Sequence, residues 1–189
     1  MKLNNTYYIL RHGEALSNVK SICSSWPEKF KNPLTEHGIG MIRQSAMLLK
    51  GKGIQLIFTS DLLRAKMTAE IAAKALKLRP KFDKRLREVN FGTMNGFSMA
   101  SLDKAFSHEK ERITRAIPRG ETYNDIHVRV YDFLKDVDEQ YKGKAILVVS
   151  HECPLLILEA AVHDVPLKEL FNGSPRHERI ERGEVKKLN

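Results

Sequence analysis

The feature that most constrains this fold is an unbroken apolar run, Ala145 to Val149, that lies between Gly143 and Ser150. Successive side chains of a strand point to opposite faces, so this run is apolar on both faces. Strands of that kind belong to the middle of a parallel sheet that is covered on both sides. Two further runs, Tyr7 to Leu10 and Ile54 to Thr59, predict neighbouring strands, and Lys81 to Asp83 is a candidate third extended piece.

Helical patterns separate these strands. A first helix is predicted after Thr35 as its N-cap, and a second after Ser60 or Asp61. A third begins with a capping box formed by Thr122 and Asp125, and a fourth carries Pro154 in its first turn. The inward faces of the first three helices are apolar stripes, namely Ile39, Ile42, Ala46 and Leu49; Ala65, Ala69, Ala72 and Leu76; and Ile126, Val130, Phe133, Val137 and Tyr141.

This alternation predicts an α/β fold: a three-layer sandwich with a mostly parallel central sheet and helices on both faces. Residues 84–121 lack a clean strand pattern, and we interpret them as a small lid insertion in a single domain that spans 1–189. Near the end of the chain, Ile180, Val185 and Leu188 suggest an edge hairpin.

The composition of the chain indicates which classes of binding partner, and which cell compartment, to expect. The net charge of +9 favours anionic partners such as small phosphorylated molecules. The basic residues are scattered and lack interleaved aromatic residues, which disfavours nucleic acid. No apolar run approaches the roughly 20 residues that span a bilayer, and no signal peptide is expected. Two distant cysteines, Cys23 and Cys153, form neither a disulfide framework nor a zinc motif, so a cytoplasmic location is expected.

Chemistry-bearing residues gather where predicted strands end. Arg11, His12 and Gly13 follow the first strand, Thr59 to Arg64 follows the second, and Ser150-His151 follows the central one. In parallel sheets the carboxyl ends of strands meet at one edge, where ligands bind. Arginine matches phosphate oxygens with a planar fork of donors, glycine allows close approach of the backbone, and histidine can act as a nucleophile. The sequence therefore predicts a phosphate site at this edge.

Six stretches resemble the histidine phosphatase superfamily, in particular the branch that includes cofactor-dependent phosphoglycerate mutase. In chain order they are LRHGEALSN at 10–18, NPLTEHG at 32–38, FTSDLLRAKMTAEIAAKAL at 58–76, LREVNFGTMNG at 86–96, PRGETYNDIHVRVYDFL at 118–134 and ILVVSHECPLL at 146–156. The resemblance implies that His12 is the nucleophile that becomes phosphohistidine and that Glu88 is the proton donor. It also implies that Arg11, Asn18, Arg64 and His151 form the phosphate pocket.

The implied chemistry needs cations around phosphorus, and Arg11, Arg64 and a protonated His151 would provide them. No cofactor or metal is expected, because the sequence has no Asp-rich cluster and no Walker-type loop. Glu14 is a candidate either for the pocket or for a hydrogen bond near the turn, whereas His37 is expected to be a surface or capping residue. Four histidines without motif support, His108, His127, His163 and His177, are expected to be structural or solvated.

The chain departs from the resemblance in three places, one of which is Met94-Asn95, where relatives often have Trp-Glu. Glu152 stands where many relatives carry glycine, so its carboxylate would repel phosphate unless it pairs with a cation. Ala15 and Leu16 differ from the Ser and Trp that are typical of the mutases. We therefore expect a metal-independent phosphomonoesterase that acts on a small phosphorylated metabolite. The alternatives are a phosphoglycerate-mutase-type phosphotransferase and a catalytically weak anion-binding module.

Overall fold

A computed structural model of the chain describes residues 2–173 and 179–189. A five-stranded sheet in the order β3-β2-β4-β1-β5 forms its centre. The strands are β1 Thr6–Arg11, β2 Ile54–Thr59, β3 Pro80–Phe82, β4 Ala145–Ser150 and β5 Val185–Lys187. The first four are parallel, and β5 is antiparallel to β1. The predicted α/β class and mostly parallel sheet are confirmed, with the most apolar strand, β4, in the middle.

Helices cover both faces of the sheet. They are α1 Leu16–Val19, α2 Glu36–Leu49, α3 Leu63–Leu76, α4 Met99–Lys104, α5 Tyr123–Gln140, α6 Glu152–Val162 and α7 Leu167–Gly173. Alternate residues of β4 enter two separate cores: Leu147 and Val149 pack in the cluster that includes residues of α2 and α3, and Ile146 and Val148 pack in the cluster that includes residues of α5 and α6. The unbroken apolar run is thus explained by burial on both faces.

The helix starts agree with sequence capping signals in two of three cases. Thr35 Oγ1 accepts the backbone N–H of Gly38 at 3.0 Å, and Thr122 and Asp125 form the predicted capping box. The prediction of Ser60 or Asp61 as the cap of α3 is wrong, because Leu62 is the N-cap and makes no side-chain cap bond. The polar side chains of both predicted caps have other partners: Ser60 contacts His151, and Asp61 pairs with Arg87.

The predicted edge hairpin is also wrong. Of residues 179–189, only Val185–Lys187 is a strand, and it pairs with β1 rather than with a strand adjacent to it in the chain. Ile180 and Leu188 are buried beside it but lie outside the ladder. Their apolar character reflects burial in the core.

Residues 84–121 contain α4 and three short 3₁₀ turns, at Lys84–Leu86, Gly92–Met94 and Glu109–Ile113. The two ends of this segment are held together by backbone packing. Gly92 has a φ of +52°, and a Cβ atom there would lie 2.2 Å from the carbonyl oxygen of Pro118. Only glycine fits this position without distortion.

Three of the four histidines without motif support lie within the described residues. His108 and His163 are exposed and His127 is partly exposed, whereas His177 lies outside the described residues. Cys23 and Cys153 are both buried and free. In the two described ranges we find no helix with the length and apolar character needed to cross a membrane.

Candidate active site

The register of the sheet brings the predicted site residues together. Arg11 lies level with Ser150 in the β1–β4 pairing, and the backbone N–H of His12 donates to the Ser150 carbonyl at 3.0 Å. The N–H of Ser60, after β2, donates to the carbonyl of Val149 at 3.1 Å. Three strand ends therefore meet at one edge. The rings of His12 and His151 lie edge to face there, with centroids 5.1 Å apart.

The hydrogen bonds of His12 define its tautomer. Its Nδ1 lies 2.8 Å from the carbonyl oxygen of Gly13, which can only accept, so Nδ1 carries the proton. The Nε–H of Arg64, which can only donate, points at Nε2 from 3.2 Å. Burial, and then the charges of Arg64 and Arg11, hold the pKa of His12 well below its usual range. His12 is thus a neutral imidazole with the lone pair on Nε2.

Arg64, at the start of α3, is almost fully buried. Its Nη2 donates to the backbone carbonyl of Ser24 at 2.9 Å, and its Nη1 lies 3.5 Å from Oε1 of Glu28. Asn32, itself fully buried, donates to the hydroxyl oxygens of Ser17 and Ser24 and so supports the loop that holds the guanidinium. Arg64 is fixed before any ligand arrives.

Arg11 is held at both ends of its guanidinium group. Nη1 donates to the carbonyl of Ile180 at 2.9 Å, and Nη2 lies 2.6 Å from Oε2 of Glu152. The predicted repulsion by Glu152 is therefore offset by pairing with a cation. Nε of Arg11 is buried and has no hydrogen-bond partner among the described residues. Buried donors are nearly always satisfied, so this atom marks a place for a polar ligand.

His151 is the N-cap residue of α6 and is fully buried. Its Nε2 lies 2.9 Å from the hydroxyl of Ser60, and within the described ranges its Nδ1 has no partner. Burial, followed by the charges of Arg64 and His12, keeps its pKa well below the usual value. In the ligand-free site, desolvation and the charge of Arg64 therefore disfavour the protonated His151 that the sequence predicts around a phosphate.

Glu88 borders the same cavity from the lid segment, and its Oε1 accepts the N–H of Val89 at 2.9 Å. Burial raises its pKa, and the opposing charge of Arg64 is the smaller effect. From the sequence alone, the neighbouring arginines are expected to dominate the pKa of Glu88 in the empty pocket. That expectation is wrong, because desolvation of the carboxyl group is the larger effect.

A cavity of about 350 Å³ opens onto these groups. Six of the seven predicted site residues line it, namely Arg11, His12, Asn18, Arg64, Glu88 and Glu152. Asn18 accepts the N–H of Ala15 through Oδ1 at 2.9 Å, which fixes its carboxamide at the rim. His151 is not among the residues that line the cavity, but its ring lies edge to face with that of His12.

Two motif residues act differently from what the sequence suggests. Gly13 is required by helix packing, because a Cβ atom there would lie 2.6 Å from the carbonyl oxygen of Gly38 in α2. Its N–H donates to Thr68. Glu14 accepts the hydroxyl of Thr35 at 2.7 Å and does not line the cavity, and His37 is exposed beside it.

Sequence reasoning missed three further cations of the cavity. Arg112 lies over the ring of Tyr123, 4.7 Å from its centroid, and Arg179 is buried against Glu109 and Glu152. Arg182 also lines the cavity, and its charge lowers the pKa of His12 slightly. Their positions in the chain carry no motif, so only tertiary contacts identify them.

Comparison with known proteins agrees with this geometry. The family model of the histidine phosphatase superfamily (branch 1) matches residues 7–180. The chain therefore belongs to that superfamily, as its six motifs predicted. A probable phosphoglycerate mutase GpmB of Escherichia coli O1:K1 is 31% identical over 164 residues, which cover 84% of this chain and 75% of the relative.

Solved structures give the same class. The alpha-ribazole phosphatase from Shigella flexneri is 26% identical, with a TM-score of 0.78 over 96% of this chain and 89% of its own. A mycobacterial glucosyl-3-phosphoglycerate phosphatase in complex with VO3 has a TM-score of 0.84 at 24% identity, with 97% of this chain and 92% of that chain covered. The second likeness supports the fold alone.

Proposed function

We propose that the protein is a metal-independent phosphomonoester hydrolase that acts through a phosphohistidine on His12. The observation that carries this proposal is the fixed tautomer of His12. Its Nε2 lone pair lies beside a buried guanidinium in a cavity that also contains a carboxyl group with a raised pKa. A nucleophile, a charge-stabilising donor and an acid are the three groups that transfer of a phosphoryl group to histidine requires.

In the first step, Nε2 of His12 attacks phosphorus in line and the bond to the leaving oxygen breaks. The proton of Glu88 passes to that oxygen, so an alcohol leaves. The Nε–H of Arg11 and the guanidinium of Arg64 stabilise the charge on the equatorial oxygens. Neutral His151 donates Nδ1–H to the phosphate, since Nδ1 is the nitrogen without a partner among the described residues.

In the second step, the Glu88 carboxylate accepts a proton from water, and the oxygen of that water attacks phosphorus. The bond between phosphorus and Nε2 breaks, inorganic phosphate forms and His12 regains its lone pair. Side-chain cations provide the positive charge throughout, so no metal or cofactor takes part in the scheme. The substrate is a small phosphorylated metabolite, and a cytoplasmic location, with neither nucleic acid nor membrane as partner, remains our prediction.

A mutase is the alternative within the same chemistry, and the name of the Escherichia coli relative favours it. A mutase would return the phosphoryl group to a second hydroxyl instead of water. Ala15 and Leu16, which replace the Ser and Trp typical of mutases, favour the hydrolase. Incubation with a phosphoglycerate and a priming bisphosphate separates the two, because only a mutase forms the isomeric ester faster than inorganic phosphate.

The proposal is tested by hydrolysis of p-nitrophenyl phosphate in the presence of a chelator. The parent protein should release nitrophenol, and His12→Ala should lose at least about 10⁴-fold in kcat while it keeps its fold, as loss of a catalytic nucleophile does. His37→Ala is the matched control, since His37 is exposed outside the cavity. A folded parent protein without activity on any phosphate ester would support the anion-binding alternative instead.

A further inference from the structure

Glu152 puts a carboxylate beside the phosphate end of the cavity, where an anion should oppose phosphate binding. Its Oε2 lies 2.6 Å from Nη2 of Arg11, and its Oε1 accepts from Nη1 of Arg179 at 3.1 Å. The carboxylate thus bridges two guanidinium groups, of which one is a candidate phosphate ligand. Whether this cavity accepts phosphate depends on how completely Glu152 is neutralised.

Arg179 is placed to provide that neutralisation. Its side chain is only 5% exposed, and it holds Glu109 through two bonds of 2.7 and 3.0 Å. Arg11, Glu152, Arg179 and Glu109 form a chain of alternating charges with no net charge. Without the Arg179 cation, Arg11 would have to balance both the Glu152 carboxylate and the bound phosphate, and charges in such partly buried positions are weakly screened.

The same segment also fixes Arg11 directly. Ile180, the residue after Arg179, accepts Nη1–H of Arg11 at 2.9 Å. With Nη1 held by Ile180 and Nη2 held by Glu152, the guanidinium plane is set, and Nε–H is the donor without a partner in the described ranges. Both contacts that aim Arg11 therefore depend on where residues 179 and 180 lie.

We propose that Arg179 is a positioning residue for the phosphate site. It neutralises Glu152 and, through Glu152, holds Arg11 with Nε–H toward the bound phosphate. This inference rests on the proposed function in one respect, namely that phosphate is the ligand of this cavity. It assigns to Glu152 a function that glycine at this position could not have, since Glu152 and Arg179 act as a pair.

The test is a set of charge-neutralising variants measured by calorimetric titration with inorganic phosphate, which needs no turnover. Arg179→Gln should weaken phosphate binding about tenfold, a coupling typical of contacting charged residues. Arg179→Gln combined with Glu152→Gln should bind within about threefold of the parent protein, because the uncompensated carboxylate is gone. KM for p-nitrophenyl phosphate should follow the same order.

Two controls separate positioning from support of the fold. Glu109 is the other partner of Arg179, so Arg179→Gln combined with Glu109→Gln should stay as weak as Arg179→Gln alone. A purely structural Arg179 would be rescued equally by both second substitutions or by neither. Arg43→Gln, on the exposed side of α2, makes the same change in net charge and should leave binding unchanged.

If Arg179→Gln alone fails to fold, phosphate affinity is compared instead among the parent protein, Arg179→Lys, and the double variant Arg179→Gln with Glu152→Gln. The lysine variant keeps the charge but cannot reproduce the forked hydrogen bonds of the guanidinium, so it should bind phosphate more weakly than the parent protein by less than about tenfold. Equal phosphate affinity in parent protein and Arg179→Gln, or rescue by Glu109→Gln, would overturn this proposal alone. Phosphate binding without hydrolysis by the parent protein would overturn the proposed function and leave this inference standing, whereas absence of phosphate binding would overturn both.

Discussion

The two ends of the cavity are built in different ways. At the phosphate end, His12 and His151 follow parallel strands, and backbone hydrogen bonds between strand ends set their positions. At the lid end, Glu109 and Arg112 come from the 84–121 segment, and ion pairs and ring contacts hold them. Arg179, from near the end of the chain, links Glu109 to Glu152 at the phosphate end. The sheet fixes the phosphate end, which suits a phosphoryl-transfer step that is the same for every substrate. The lid end can vary in sequence without disturbing the sheet, which suits it for selection among leaving groups.

The largest effect expected from this contrast concerns Glu88, which lies on the lid but acts at the phosphate end. Glu88→Gln should slow phosphorylation by alkyl phosphates about 10²–10⁴-fold, because a poor leaving group needs the proton. Nitrophenyl esters should lose far less in the same step, because their anions leave unaided. In the parent protein, phosphorylation by alkyl esters should fall as pH rises through the raised pKa of Glu88.

Single-turnover phosphorylation is the step to measure, since Glu88 also activates water in the second step. Glu121→Gln is a suitable control, because Glu121 pairs with Arg129 outside the cavity. Equal losses for alkyl and aryl esters in phosphorylation would move the acid to another residue of the lid.

The next effect concerns the two arginines of the phosphate end. Arg64→Ala and Arg11→Ala should each cost about 2–4 kcal/mol of transition-state stabilisation, as loss of a preorganised donor does. The measurement is kcat/KM on an aryl phosphate. Arg87→Ala removes an arginine that pairs with Asp61 outside the cavity and should leave kcat/KM within about threefold of the parent value. Near-parental kcat/KM in a folded Arg64→Ala would contradict the proposed pocket.

The phosphate end was predictable because its residues are tied to local signals. Apolar runs that stop at Arg11 and at Ser150 predict strand ends, and parallel strands bring such ends together whatever the rest of the chain does. Glu152 could be recognised as a carboxylate that needs a cation, but the cation could not be named. Arg179 lies 27 and 70 residues from its two carboxylate partners, and no periodicity links positions at such separations.

Protonation states were predictable only in part, for a related reason. The charge of His151 and the pKa of Glu88 depend on how deeply the fold buries them, and that depth is set by tertiary packing. The start of α3 was missed because Ser60 and Asp61 satisfy tertiary partners instead of the helix end. That the whole chain acts as one domain, with 84–121 as its lid, remains a prediction.

A smaller effect follows from the neutral histidines of the phosphate end. Below about pH 6.5 the unfolded chain binds protons on His12 that the folded protein does not, since the pKa of folded His12 is lowered. The free energy of unfolding should therefore decrease as the pH is lowered, by about 1.4 kcal/mol per buried histidine between pH 7.5 and 5.5. His12→Gln should reduce this pH dependence by that amount in urea unfolding. His163→Gln, at an exposed position, should not change it, and an unchanged slope in His12→Gln would contradict a neutral His12.

The smallest effect is expected at the lid end. Arg112→Met keeps much of the side-chain length but removes the cation over the ring of Tyr123, which should cost about 1 kcal/mol of stability. Hydrolysis of a small aryl phosphate should change less than about threefold, because the leaving group is too short to need this end. A loss of activity as large as that of Arg64→Ala would contradict the proposed difference between the phosphate end and the lid end.

The most direct test of the account is to identify the residue that becomes phosphorylated. The protein is mixed with a labelled phosphate ester, quenched within one turnover under alkaline conditions and digested for mass spectrometry. We predict an acid-labile phosphoryl group on Nε2 of His12, formed at the single-turnover rate and present in Glu88→Gln with an aryl ester. A phosphoryl group on any other residue, or turnover by His12→Ala at the parental rate, would contradict the account.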